Sequence, residues 1–151
     1  MDLYISKVEK TMEYRKINSK YIDDILKLDS RFGSPWSRGL YLDRLSMFPD
    51  LSYGVFKNGK LIGFILGKKE PIGNIKISRL VVDEKYEGRG IGGHLVDVLT
   101  KKADEKTKKM RSIIRESNKR SIKLHKHRGF EIYDYHTYKD GEKGIKFLKR
   151  L

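Results

Sequence analysis

Cysteine is absent from the 151-residue sequence, which removes disulfides, thiol nucleophiles and thiolate metal sites together. Proline is scarce, at three residues, and tryptophan occurs once. No apolar run approaches the roughly 18–20 residues that span a bilayer. The opening Met1-Asp2-Leu3-Tyr4-Ile5-Ser6-Lys7 lacks the apolar segment of a secretory signal, so a cytoplasmic protein is expected. Low-complexity tracts, linkers and internal repeats are missing too. What is present is enough for a core: 38% hydrophobic and 11% aromatic residues exclude wholesale disorder. The length fits a single domain over 1–151, with 1–11 a loose leader.

Acidic residues are the minority. Thirty-four Lys and Arg face 20 Asp and Glu, a formal net charge of +14. The excess concentrates late: between 101 and 128, twelve Lys and Arg meet only Asp104, Glu105 and Glu116. Such a stretch raises the local concentration of anions, whether nucleic acid, a phosphorylated cofactor or an acidic partner. A solvated charged face is the plainer explanation for any one lysine.

Strand and helix patterns alternate along the chain. Met12–Ile17 reads as a strand, and Asn18 or Ser19 caps a helix over roughly 20–32 with Ile22, Ile25, Leu26 and Leu28 as its stripe. After the Pro35-Trp36 break, Ser37 caps a second helix bearing Leu40, Tyr41, Leu45 and Phe48. Leu51–Phe56 and Leu61–Leu66 form a hairpin through Asn58-Gly59. Ile75–Val82 is the next strand, and a helix begins near Ile91. Met110–Arg115 is a strand, and Ser117 or Asn118 caps a helix that ends at Gly129. Phe130–Tyr138 and Gly144–Leu148 pair around the turn Lys139-Asp140-Gly141-Glu142. The order βααβββαβαββ predicts a mixed, mostly antiparallel, twisted sheet of about seven strands, with about four helices on its two faces.

Glycines 88, 90, 92 and 93 lie between a strand end and a helix start. Without Cβ atoms the backbone turns sharply there, and the first-turn amides of the helix converge on a phosphate or pyrophosphate. The Walker pattern fails for want of Gly-Lys-Ser/Thr. Gly88-Arg89-Gly90-Ile91-Gly92-Gly93 satisfies the dinucleotide spacing, but about five residues separate it from the strand, whereas that fold turns straight from strand into glycine.

The loop Glu87-Gly88-Arg89-Gly90-Ile91-Gly92, with Leu80-Val81-Val82-Asp83 before it, resembles the acyl-CoA loop of the GNAT superfamily of N-acetyltransferases. Asn118 with Leu124-His125-Lys126-His127-Arg128-Gly129-Phe130 resembles that family's second motif. Phe32-Gly33-Ser34-Pro35-Trp36-Ser37, Arg115-Glu116-Ser117-Asn118 and Thr137-Tyr138-Lys139-Asp140-Gly141-Glu142 are similar to segments of the protein N-terminal acetyltransferases, including the ribosomal-protein alanine type. The resemblance implies acetyl-CoA as cosubstrate, no metal, a protein N-terminus as acceptor and ribosome association.

It also implies roles. Leu80, Val81 and Val82 would pair with the pantetheine arm through a splay or bulge, while amides of Gly88, Gly90, Gly92 and Gly93, around Ile91, hold the pyrophosphate. Asn118 and Lys126 would approach the far end of the cofactor, and Phe32, Pro35 and Tyr138 would line the acceptor slot. The family's Arg or Gln is replaced by Glu87, whose carboxylate should turn away and leave the anion to Arg89 and the backbone. The family's acidic Tyr is replaced by His125, an imidazole able to protonate a leaving thiolate. The alanine-type enzymes' Glu is replaced by Ile113. A weak base, or a water relay through Tyr138, would then suffice for an α-amine, which is roughly a tenth neutral at pH 7. A small-molecule amine remains an alternative acceptor, as does a basic nucleic-acid-binding module without acetyl transfer.

Overall fold

In a computed structural model of the chain, residues 12–31 and 34–151 are described. The expected leader 1–11 and Phe32 lie outside the described residues.

Seven strands form one sheet in the order β1-β2-β3-β4-β5-β7-β6. They are β1 Met12–Lys16, β2 Ser52–Lys57, β3 Lys60–Glu70, β4 Asn74–Val82, β5 Lys109–Arg115, β6 Glu131–Thr137 and β7 Lys143–Arg150. Among the described residues four α-helices accompany them: α1 Ile22–Asp29, α2 Arg38–Met47, α3 Ile91–Lys101 and α4 Lys119–His127. The predicted order and the mostly antiparallel sheet are therefore observed; β4 and β5 are the parallel pair.

Local chemistry places the boundaries. Asn58 and Gly59 take φ of 51° and 79°, the positive pair a two-residue hairpin turn requires. Ser37 accepts from the Leu40 N–H and Asn118 from the Ser121 N–H, capping α2 and α4. α1 is shorter than expected, because a 3₁₀ turn over Ser19–Tyr21 precedes it and it ends at Asp29. Phe48 falls just past the end of α2. β3 runs on to Glu70, four residues beyond the expected Leu66.

Two apolar clusters sandwich the sheet. One packs α3 and Phe130 against Val55, Ile65, Ile75, Ile77, Met110 and Phe147. The other packs α1 and α2 against Phe56, Phe64, Leu66 and Val81. Both clusters draw on β3, whose Leu61–Gly67 run is buried throughout, as a central strand's must be.

Candidate active site

The site begins with one irregularity in the sheet. β4 and β5 pair only from Asn74 opposite Lys109 to Ile77 opposite Ser112. On its other edge β4 stays paired to β3 as far as Val82, with Ser78 as an extra residue, since Leu66 faces Arg79 and Gly67 faces Ile77. A bulge bends and twists its strand, and past Ser78 the two parallel strands separate. The edge of β4 that faces this gap has no strand partner there, which leaves a template for another extended chain.

A cavity opens on each side of the gap. The first, about 750 Å³, is walled by Leu80 and Val82, by the loop from Tyr86 to Gly93, and by α4. The second, about 1080 Å³, lies between the Ser34–Trp36 loop, β4, the end of β5 and the turn carrying Tyr138, Asp140 and Glu142. Leu80, Asn118 and Ser121 line both, so the gap joins the cavities.

The first cavity is built for an anion. Gly90 has φ of 77°, and no side chain caps α3. The first intrahelical bond runs from the His94 N–H to the Gly90 carbonyl, so the amides of Ile91, Gly92 and Gly93 have no acceptor within the helix and border the cavity. Lys119, Lys123 and His127 face them at four-residue spacing along α4. Glu87 borders the cavity, and its carboxylate is directed to Arg120 at 2.6 Å, tying the glycine loop to α4. Arg128 makes a second tie, to Asp97 of α3, at 3.1 Å.

Asp29 and Arg79 organise the second cavity. Asp29 is buried at the end of α1, accepts from the Trp36 N–H at 2.8 Å and pairs with Arg79. Arg79 also donates to the Ser34 carbonyl at 3.2 Å. The Ser34–Trp36 loop is thereby fastened to β4, and Pro35 lines the cavity as expected. Opposite, Arg115 donates to Asp140 and Glu142, both at 2.8 Å, and stacks 3.9 Å from the centre of the Tyr138 ring. Gly144 makes room for that ring, because a Cβ there would meet Tyr138 Cε2 at 2.8 Å. His136 stands edge-on to it, with centroids 4.8 Å apart. Burial pushes the Tyr138 phenol up, so it stays protonated at neutral pH. The Glu142 carboxyl is held below its usual range, first by its bond from Arg115 and then by Ser117.

Several expected site residues lie elsewhere. His125 is fully buried: its ring stacks on Phe147 at 5.2 Å, and Nδ1 bonds the Ser121 carbonyl at 2.8 Å. It lines neither cavity, and burial lowers its pKa. A neutral, enclosed imidazole is not placed to protonate a leaving thiolate. Arg89 leaves the anion site and lies 5.3 Å from the Tyr86 ring centre. Lys126 is exposed off the cavity wall, its expected place taken by Lys119 and Lys123. Val81 faces the α1–α2 cluster and the second cavity, while Leu80 and Val82 face the first. Ile113, which replaces the alanine-type Glu, lines the second cavity.

Among the described residues no three or more His, Asp or Glu gather to hold a metal ion, and no helix is long and apolar enough to cross a membrane.

Comparison with known proteins gives the family. The model of the Acetyltransferase (GNAT) family matches residues 21–130. The chain belongs to that family. An uncharacterized N-acetyltransferase of Methanocaldococcus jannaschii is 34% identical over 89 residues, 58% of this chain and 56% of the relative, so the chain matches about half of that protein's length. The crystal structure of Ard1 from Thermoplasma volcanium superposes with a TM-score of 0.87 at 22% identity, over 93% of this chain and 98% of that one. The NatC complex bound to a Gag peptide and CoA gives 0.85 at 23%, over 93% and 98%. At those identities the likeness is one of fold.

Proposed function

We propose that this GNAT-family protein transfers an acetyl group from acetyl-CoA to the α-amino group of protein or peptide N-termini. The single observation that carries this reading is the through-passage. An anion-binding groove and a second cavity of about 1080 Å³ meet where β4 has an open edge.

Coenzyme A fits the groove on the donors present. The amides of Ile91–Gly93, with Lys119 and Lys123, would hold its phosphates, and the β4 edge at Leu80–Val82 would take its extended arm. The bound cosubstrate supplies an acetyl thioester to the gap. The protein's own groups do the rest. Amides on the unpartnered edge of β4 would donate to the thioester oxygen as the C–N bond forms and the C–S bond breaks, the amine's proton passing to water or to the departing thiolate. Asp140 and Glu142, two carboxylates sharing one guanidinium, draw an ammonium to the rim. The protonated Tyr138 phenol, fixed between Arg115, Gly144 and His136, orients the amine or a water beside it. Nothing here need act as a strong base. An α-amine with pKa near 7.7–8 is roughly a tenth neutral at pH 7, whereas a lysine amine at about 10.4 is neutral in less than a thousandth of molecules.

Two neighbours in fold support the reading by what they are: Ard1, and a NatC complex holding both a peptide and CoA. On this reading the protein works in the cytoplasm, and its basic surface favours anionic surroundings such as the ribosome. Acetyl-CoA is to be presented with a peptide bearing a free N-terminus and internal lysine, and with the same peptide blocked at its N-terminus. Mass spectrometry is expected to place acetyl on the free α-amine. Equal or greater labelling of lysine in the blocked peptide would overturn the reading.

A further inference from the structure

The floor of the second cavity carries a cation that no carboxylate among the described residues pairs with directly. Lys76 lines it, half-buried, and forms no ion pair among the described residues. Its neighbours add to the imbalance. Across β5 it faces Arg111, and across β3 it faces Lys68. Glu70, the nearby carboxylate, offsets part of this charge from a distance, but its two oxygens are bonded by Arg111 at 2.6 Å each. From α2, Arg44 adds another positive charge near Lys76, and its Nε is buried without a partner among the described residues. Burial, and then the charge of Arg111, lower the Lys76 pKa. A half-buried ammonium among cations is costly unless an anion completes it. The rim shows the opposite balance, with Asp140 and Glu142 around Arg115.

We infer that Lys76 is a specificity-determining residue, selecting acceptor peptides that carry an acidic side chain at the second or third residue. This rests on the second cavity being the acceptor site, and it goes beyond the N-terminal reading by naming which N-termini. Geometry sets the register. The amine reacts at the junction beside Leu80, four residues along β4 from Lys76, or about 13 Å at a strand rise of about 3.3 Å per residue. The lysine's four-carbon stem closes part of that distance. An extended acceptor advances about 3.3–3.6 Å per residue, so a carboxylate one or two residues past the terminus reaches the ammonium. A free amino acid, with amine and carboxylate on one carbon, does not span the gap.

The test uses the full chain and a peptide series identical except for Glu, Gln or Lys at residue two or three. Both kcat/KM and peptide affinity in the presence of CoA are measured. The expected result is an advantage of about tenfold for Glu over Gln, the equivalent of roughly 1.4 kcal/mol, and a penalty for Lys. Lys76→Met is expected to abolish the Glu advantage, Lys76→Arg to retain it, and Lys76→Glu to reverse it in favour of Lys. CoA affinity of the variants reports that they are folded, since Lys76 lies outside the cofactor groove. Equal use of Glu and Gln peptides by the wild type, or a Glu advantage that survives Lys76→Met, overturns the inference while leaving N-terminal acetylation standing. If no free N-terminus is acetylated, the proposed function fails first, and this inference with it.

Discussion

The imidazole of His125 lies among Phe130, Phe147 and the Ser121 carbonyl, with Nε2 enclosed and unpartnered among the described residues. Burial disfavours its charged form, so its folded pKa lies below the ordinary 6.5. The unfolded chain therefore takes up this proton first as pH falls. The contribution to stability is whole above about 6.5 and is lost below it, at a slope of up to about 1.4 kcal/mol per pH unit. Denaturant titrations from pH 8 down to 5 are expected to show this loss, and His125→Phe is expected to flatten it. A wild-type profile no steeper than the variant's would place the imidazole in solvent. The inward position was partly legible in the sequence, since residue 125 follows Ile122 at the helical spacing of three. How deep the ring sits depends on β7, which the local pattern does not contain. Tyr138 shows the converse. Its turn, Lys139-Asp140-Gly141-Glu142, is plain in the sequence, whereas the Arg115 stacking that fixes its ring joins residues far apart in the chain.

At the scale of elements, the glycine loop and α4 act as one clamp closed by Glu87 and Arg120. A carboxylate beside a diphosphate is repulsive, and the guanidinium neutralises it. Arg120→Ala is therefore expected to weaken CoA binding about five- to tenfold, the worth of roughly 1–1.4 kcal/mol. Adding Glu87→Gln is expected to restore most of the affinity. Calorimetric titration of the two single variants and the double variant decides it: additive losses would mean that Glu87 and Arg120 do not act as a pair. Caps and turns were readable because each is a local bargain between a side chain and a nearby backbone group, as at Ser37, Asn58-Gly59 and Asn118. A splay or bulge near Leu80–Val82 was expected from the family resemblance alone, and its place at Ser78 had no local signal. It arises from the register of β4 against β3 and β5, and register belongs to pairs of distant segments. For the same reason Lys76 and Arg79 carried no local signal of their place in the second cavity, nor Asp29 of its bonds to Arg79 and Trp36.

Across the whole molecule, the two apolar clusters hold the sheet from opposite faces, and the gap between β4 and β5 connects those faces. The net charge of +14 draws an anionic cofactor and, on the inference from Lys76, an acidic acceptor as well, which ties affinity to ionic strength. The central claim is that this gap takes the arm of coenzyme A while the α3 amides hold its phosphates. Amide NMR titration with coenzyme A reads those groups directly. The account predicts the largest shifts at Leu80–Val82 and Gly88–Gly93, with smaller ones along the first turns of α4. Shifts confined to the basic 101–109 segment or to β6, with the glycine amides unmoved, would contradict it.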